Sequence, residues 1–310
     1  MSVAGAGLAA ILVSSLVSGS SATSVSAEPL EEVAIENIAD VVSDAAPDQA
    51  EPVQAAPVAE SFVAEVGATE VTVPIDGDDG IEVLATIGGS ELAATLSLPS
   101  GIEVDEGELA SDGTIVFAEE GAAGQSDGGV AVQTLEDGAT RIQTVIADVG
   151  SEHEFGYAVD GFRATIDAQG QAGFVSDGVD GAYVPVAPAW ATDANGDPVD
   201  THYEVRADQL FQVVVPGPDT VYPVVADPTW QWRSAAWGMT LNRKETASIK
   251  DYSVAAGMCG LFIKKKPIVA CGIWASYLLT QAVTANKLKP KGCLHLVLAP
   301  LPGAIIHVKC

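Results

Sequence analysis

The sequence predicts a multidomain protein: an all-β antiparallel sandwich or meander, followed by a small disulfide-stabilised α+β domain made of a helical hairpin and a β-hairpin. Three observations carry this expectation. Residues 1–228 hold 40 acids and three arginines, whereas residues 229–310 hold 11 Lys or Arg and two acids, net charges of −37 and +9. All four cysteines, Cys259, Cys271, Cys293 and Cys310, fall in the second part. Between Glu70 and Ala226 runs a long series of short alternating apolar segments punctuated by Gly and Asp.

Residues 1–27 read as a signal peptide. An apolar run from Ala4 to Val17 gives way to small residues ending Val25-Ser26-Ala27, which places cleavage before Glu28. No Lys or Arg precedes the apolar run, so a short membrane anchor is the competing reading. The expected location is secreted or extracellular, with retention at the cell surface as a variant. Residues 28–67 are rich in Ala, Val, Glu and Pro, with Pro29, Pro47, Pro52 and Pro57 and the lone aromatic Phe62. Such a stretch buries too little apolar surface to offset its ordering entropy, and a disordered acidic spacer is expected, with at most a transient helix around Glu31 to Val42.

Residues 68–228 are expected to form the acidic antiparallel β domain. The strand-like runs are Glu70 to Val73, Ile81 to Ile87, Leu92 to Leu98, Thr114 to Phe117, Val130 to Leu135 and Arg141 to Ile146. Five more follow at Phe155 to Val159, Phe162 to Ile166, Tyr203 to Val205, Leu210 to Val215 and Val221 to Val225. Turn signals between them include Gly88-Gly89, Asp137-Gly138, Asp160-Gly161 and Asn195-Gly196. No lysine occurs before Lys244, so the surface of this domain is strongly acidic and attracts basic partners, its own C-terminal part included.

Residues 229–310 are expected to form the cationic domain. Asn242 suits a helix N-cap and Glu245 completes a capping box. The helix predicted next carries the stripe Ile249, Tyr252, Ala256 and Cys259, and Lys264-Lys265-Lys266 close it at the negative end of its dipole. Pro267 opens a second helix with the stripe Cys271, Trp274, Leu278, Ala282 and Ala285. A hairpin centred on Pro300 to Gly303 would place Cys293 opposite Cys310. Export puts the thiols in an oxidising compartment, and of three possible connectivities the two hairpins favour Cys259–Cys271 with Cys293–Cys310.

Two stretches carry a resemblance. Pro188-Ala189-Trp190-Ala191-Thr192-Asp193-Ala194-Asn195-Gly196, then Thr201 to Val205, Leu210 to Val214 and Tyr222-Pro223-Val224-Val225-Ala226-Asp227-Pro228, resemble a module of uncharacterised secreted actinobacterial proteins, in which the alanine-aspartate-proline end precedes a variable C-terminal segment. The segment here, with Asn242 to Thr246 and its cysteines, is similar to one recurrent tail type. The resemblance implies export and brings no catalytic residue.

Chemical constellations are sparse. Gly124-Gln125-Ser126-Asp127-Gly128 matches a nucleophile-elbow pattern, but sits in an acidic Gly-rich stretch without a following helix pattern. Asp193, Asn195, Asp197 and Glu204 match a calcium loop except for Pro198 where a glycine is required, and a β-turn explains them equally; Asp76 to Asp79 is a second acidic cluster. His295 and His307 beside Cys293 and Cys310 suggest zinc, but the hairpin sends the imidazoles to opposite faces. No cofactor and no metal are therefore expected, and no catalytic residue is assigned. The expectation is a secreted non-enzymatic protein that binds an anionic cell-surface polymer or a membrane surface through Arg233, Lys264, Lys265, Lys266, Lys287, Lys289 and Lys291. Trp230 and Trp232 form a candidate aromatic platform unless they pack in the junction. The alternative is an antimicrobial or toxin-like C-terminal effector masked by the acidic region and freed by cleavage near Pro228, with a hydrolytic enzyme third. Export argues against nucleic acid as partner.

Overall fold

The computed structural model describes residues 30–46, 50–87, 89–120, 128–167, 170–176, 181–262, 268–299, 303–308 and 310, with backbone only at 30–32, 259–262 and 268–270. The expected signal peptide, Lys264 to Lys266 and Pro267 lie outside the described residues. The structure is mostly β, and every pairing of strands is antiparallel among the described residues.

The chain begins with helix α1 (Leu30–Ala45). A five-stranded meander follows: β1 (Ala56–Val58), β2 (Ser61–Val66), β3 (Thr69–Pro74), β4 (Ile81–Ile87) and β5 (Ser90–Leu96). Next come β6 (Glu108–Leu109), β7 (Ile115–Ala118), β8 (Gly129–Thr134), β9 (Thr140–Ile146) and β10 (Glu154–Tyr157). Then β11 (Phe162–Ile166), β12 (Ala172–Ser176), β13 (Gly181–Pro185), β14 (Ala191–Asp193), β15 (Asp200–Arg206) and β16 (Gln209–Val215). The chain ends with β17 (Val224–Ala226), β18 (Thr229–Trp230), β19 (Ala236–Leu241), α2 (Arg243–Ser248), α3 (Tyr252–Phe262), α4 (Ile268–Lys287), β20 (Cys293–Ala299) and β21 (Ile305–Val308). Besides the meander, β14-β17-β9-β8-β7-β6 form one sheet with β18 paired to β9, β10-β16-β15 a second, and β11-β12-β13-β19-β20-β21 a third.

Contrary to the expected disorder of residues 28–67, the described residues 30–46 and 50–67 form α1, β1 and β2. Ile35, Ile38, Ala39 and Val42 recur at helical spacing and are buried against Val116, Ala131, Val145 and Val225 of β7, β8, β9 and β17. A single amphipathic helix of this length is marginal in water, and α1 is stabilised by this sheet face and by Glu36, whose carboxylate accepts from the Ser111 amide and hydroxyl. Phe62 lies in β2 and is buried in the main core.

The segment around Pro228, where the alternative effector reading places cleavage, is buried throughout from Val224 to Trp230. β17 lies between β14 and β9, and the Pro228 carbonyl accepts from the Ile142 amide. Trp230 and Trp232 have no solvent exposure, so they are not an aromatic platform. The Trp230 ring packs edge-on to Tyr157 at 5.7 Å and tilted to Phe174 at 6.4 Å, and the Trp232 Nε1 donates to Thr140 Oγ1. Side chains this large contribute the most when fully withdrawn from water, and the two indoles fill the seam between sheets. Strands on either side of residue 228 also share a sheet, since β13 pairs with β19 and β19 with β20.

Helix order in the C-terminal part departs from the single helix expected after Asn242. Asn242 and Glu245 form the predicted capping box, but α2 stops at Ser248. Asp251 then caps α3, accepting from the Ser253 and Val254 amides and the Ser253 hydroxyl, which holds its carboxyl below the usual range. The C-terminal hairpin forms, with its register moved by two residues: Cys293 faces Val308 and His295 faces Ile306. The Val297 amide bonds to the Ala304 carbonyl and the Gly303 amide to the Val297 carbonyl, which fix this register, and the Gly303 carbonyl accepts from Trp274 Nε1. The shift keeps side-chain parity, and the Cys293–Cys310 disulfide closes with a Cα separation of 5.1 Å. Cys271 is also disulfide-bonded. The Cys259 side chain lies outside the described ones.

Candidate functional site

Most of the described cations of the C-terminal segment collect around one end of α4. The last turn of α4 carries exposed Lys287, where a cation complements the helix dipole, and exposed Lys289 and Lys291 follow in the connection to β20. This connection is held at both ends. The Leu288 and Gly292 amides both bond to the Ala285 carbonyl, and the Lys291 carbonyl lies 3.3 Å from the Cys310 sulfur of the disulfide that begins two residues on, at Cys293. Helix α2 lies alongside, because the Asn286 amide donates to the Thr246 carbonyl. That contact brings exposed Arg243, Lys244 and Lys250 to the same region. The two acids of the segment, Glu245 and Asp251, serve as helix caps and are outnumbered by its cations, so the local field is positive.

The other expected anion-binding residues separate from this corner. Arg233 is exposed, but its Nη2 donates to the Val66 carbonyl at the β2–β3 turn, and its guanidinium stands over Gly67 and Gly138. It is a clamp between the meander and the seam, not a free surface cation. Lys264, Lys265 and Lys266 lie outside the described residues. Arg243, Lys244 and Lys250 were not singled out from the sequence as surface contacts; the capping box at Asn242, which aims α2, was their only local signal.

On the acidic part, an open cleft of about 1200 Å³ is lined by Asp76, Asp78, Glu103, Asp105, Glu120 and Asp160 over a floor that includes Leu96, Leu98 and Val104. Among the described residues no cation lines it, so its field favours positive species. The Asp76 carboxylate accepts from the Asp78 amide. In the stretch that partly matches a calcium loop, Asp193 Oδ1 accepts from the Asn195 and Asp197 amides and Oδ2 from the Val221 amide. These bonds hold the Asp193 carboxyl below its ordinary range, and Gly196 takes a left-handed φ of 79°. This is a turn stabilised by its own aspartate. Among the described residues, no group of three or more His, Cys, Asp or Glu side chains is placed to hold a metal ion.

The four histidines are dispersed. His295 is fully buried, bonded through Nδ1 to the Thr240 hydroxyl, and burial lowers its pKa to about 4. His307 reaches Gln281 Oε1 from the opposite face of the hairpin, and burial lowers its pKa too. His153 meets the Tyr222 hydroxyl at 2.9 Å, and His202 meets Glu204. Of the nucleophile-elbow match, residues 124–127 lie outside the described residues.

Beneath α1 lies a buried polar layer. Arg141 donates to Gln133 Oε1, Gln133 to the Thr114 hydroxyl, and Gln143 to the Val42 carbonyl at the end of α1. Asp227 has no exposure and accepts from the Thr229 hydroxyl; burial raises its pKa to about 7 against the opposing pull of Thr229 and the Arg141 charge. Tyr203 donates to the Asp227 carbonyl. Neither a protein-family model nor a curated protein sequence matches the chain.

Proposed function

We propose that the protein is a secreted, non-enzymatic surface-binding protein whose basic corner, formed by Lys287, Lys289 and Lys291 with Arg243, Lys244 and Lys250, engages an anionic polymer or lipid surface. The observation that carries this reading is the fixed display of three lysines between the α4 terminus and the Cys293–Cys310 disulfide, beside a second group on α2. Pre-organised cations lose little freedom on binding, so their attraction is not spent on ordering. Export is supported by the apolar N-terminal run, by the disulfides and by the resemblance to uncharacterised secreted actinobacterial proteins.

In this reading residues 229–310 are a docked module, with α3 and α4 as the arms of a helical hairpin. The module's own core supports it: Leu241, Ile249, Ala255, Leu278, Ala282, Leu294, Leu296 and Ile305 cluster together. Its shared sheet with β13 and the burial of residues 224–230 weigh against release by cleavage near Pro228 and favour the binder over the freed effector.

The test is co-sedimentation of the full chain with anionic vesicles and its retention on a soluble polyanion, dextran sulfate, against the variant Lys287→Gln/Lys289→Gln/Lys291→Gln. Loss of about tenfold or more in affinity, with a shallower salt dependence, is expected, since each surface cation contributes about 1 kcal/mol near an anionic surface. Unchanged affinity for both would refute the reading.

A further inference from the structure

The outer face of α4 combines features a soluble helix seldom leaves in water. Its inner face, Ala275, Leu278, Ala282 and Ala285, packs on Leu294, Leu296 and Ile305. Its outer face presents Ile273 at 73% exposure and Tyr277 and Val283 at 42% each. From Ile268 to Asn286 no residue carries a formal charge. The Ser and Thr hydroxyls on this face are satisfied within the helix: Ser276 donates to the Gly272 carbonyl, Thr280 to the Ser276 carbonyl and Thr284 to the Thr280 carbonyl. A polar group bonded to the preceding turn loses little when water is removed, so the whole stripe tolerates a medium of low dielectric constant. Tyr252 of α3, itself half-exposed, extends the face, its hydroxyl 3.0 Å from where a Cβ on Gly272 would stand. At the C-terminal end stand exposed Lys287, Lys289 and Lys291.

We infer that this face beds into the interfacial layer of an anionic lipid bilayer, with α4 lying along the surface, Ile273, Tyr277 and Val283 among the upper acyl carbons and the lysines on lipid phosphates. This rests on the anionic-surface reading and narrows it from polyanions in general to a membrane. Charge complementarity selects the occupant. A soluble polyanion would meet the lysines but leave Ile273 and Val283 in water, whereas an anionic bilayer takes up both. A second copy would bring its own cations and another net charge of −28. At physiological salt the Debye length is about 8 Å, so the bilayer senses the adjacent lysines more than the distant acids. Among the described residues no helix is long and apolar enough to cross a membrane, which accords with a helix lying in the interface.

The test uses the full chain with vesicles of phosphatidylglycerol and phosphatidylcholine, with dextran sulfate as the polyanion, and with the variant Ile273→Ser/Val283→Ser, whose sites are exposed and whose melting temperature serves as the folding control. Vesicle binding is expected to weaken by about tenfold or more while dextran sulfate binding is unchanged. Vesicle binding that survives this variant but not the lysine variant would overturn the inference and leave the surface-binding reading standing. Binding of wild type to dextran sulfate but to no vesicle would do the same. A wild-type dimer that the serine variant dissociates, with unchanged vesicle binding, would overturn it in favour of self-association. Indifference of both ligands to the lysine variant would remove the underlying reading as well.

Discussion

Asp227 shows how much one residue of a recognisable motif owes to distant strands. The run Tyr222 to Pro228 is conspicuous in the sequence, yet nothing local says that its aspartate is buried; that follows from β17 lying between β14 and β9. Burial raises the Asp227 pKa to about 7, above its value in an unfolded chain, so the folded state holds a proton that the unfolded state releases. The stabilisation from that proton is complete below the unfolded pKa of about 4 and is lost as pH rises through about 7. Asp227→Asn removes this dependence. Denaturant unfolding at about pH 5 and about pH 8 should therefore show the variant gaining on the wild type as pH rises, and a difference that stays constant or reverses would contradict the assignment. The lysines are the opposite case. Lys287, Lys289 and Lys291 were legible from sequence as a surface group, because solvation of lysine needs no distant partner. Arg233 was misjudged for the same local reason: its hydrogen bond to Val66 spans 167 residues.

At the level of elements, the eleven apolar runs all appear as strands, with ends within a few residues, since alternation is a local signal. The strands not anticipated carry weak signals. Gly173 interrupts β12 because the Tyr183 ring of β13 lies where its Cβ would stand, with the hydroxyl 2.6 Å away. β13 ends in Pro185, and β1 and β14 have three residues each. Helix α1 covers the stretch Glu31 to Val42 that the sequence admits as a transient helix; what no local signal shows is the surface of β7, β8, β9 and β17 on which its four apolar residues pack. The break at Ile249 to Asp251 was missed because Asp251 reads as a charge in a helix until its side chain is seen capping α3. The Cys293–Cys310 pairing survived a register error because a shift of two preserves the face. Its loop of 17 residues implies about 3 kcal/mol of stabilisation by constraint of the unfolded chain. Cys293→Ser/Cys310→Ser should lower unfolding free energy by about that amount, and should also blunt polyanion binding by freeing the Lys287 to Lys291 connection. A variant as stable as the wild type would show that the bridge does not constrain this segment.

Across the whole molecule, the jump from −37 to +9 at residue 228 is plain in the sequence, whereas the sheet that continues across this point is not, because β-pairing is non-local. Sheet β11-β12-β13-β19-β20-β21 binds the cationic segment to the acidic part, while a separate cluster around Leu278 and Leu294 gives that segment a core of its own. The result is a molecule with opposite charge on two built-in faces: an acidic cleft near Asp76 and Glu103, and a basic corner at the end of α4. In the proposed reading such a distribution would orient the protein at an anionic boundary before contact is made. The most direct test is an amine-labelling footprint of the full chain, free and bound to anionic vesicles, read by mass spectrometry. No lysine precedes Lys244, so every labelled lysine reports on the cationic segment. Labelling that is rapid at Lys287, Lys289 and Lys291 in the free protein and suppressed on the vesicles is the predicted result; equal labelling of these three lysines in both states would contradict a basic corner that binds the surface.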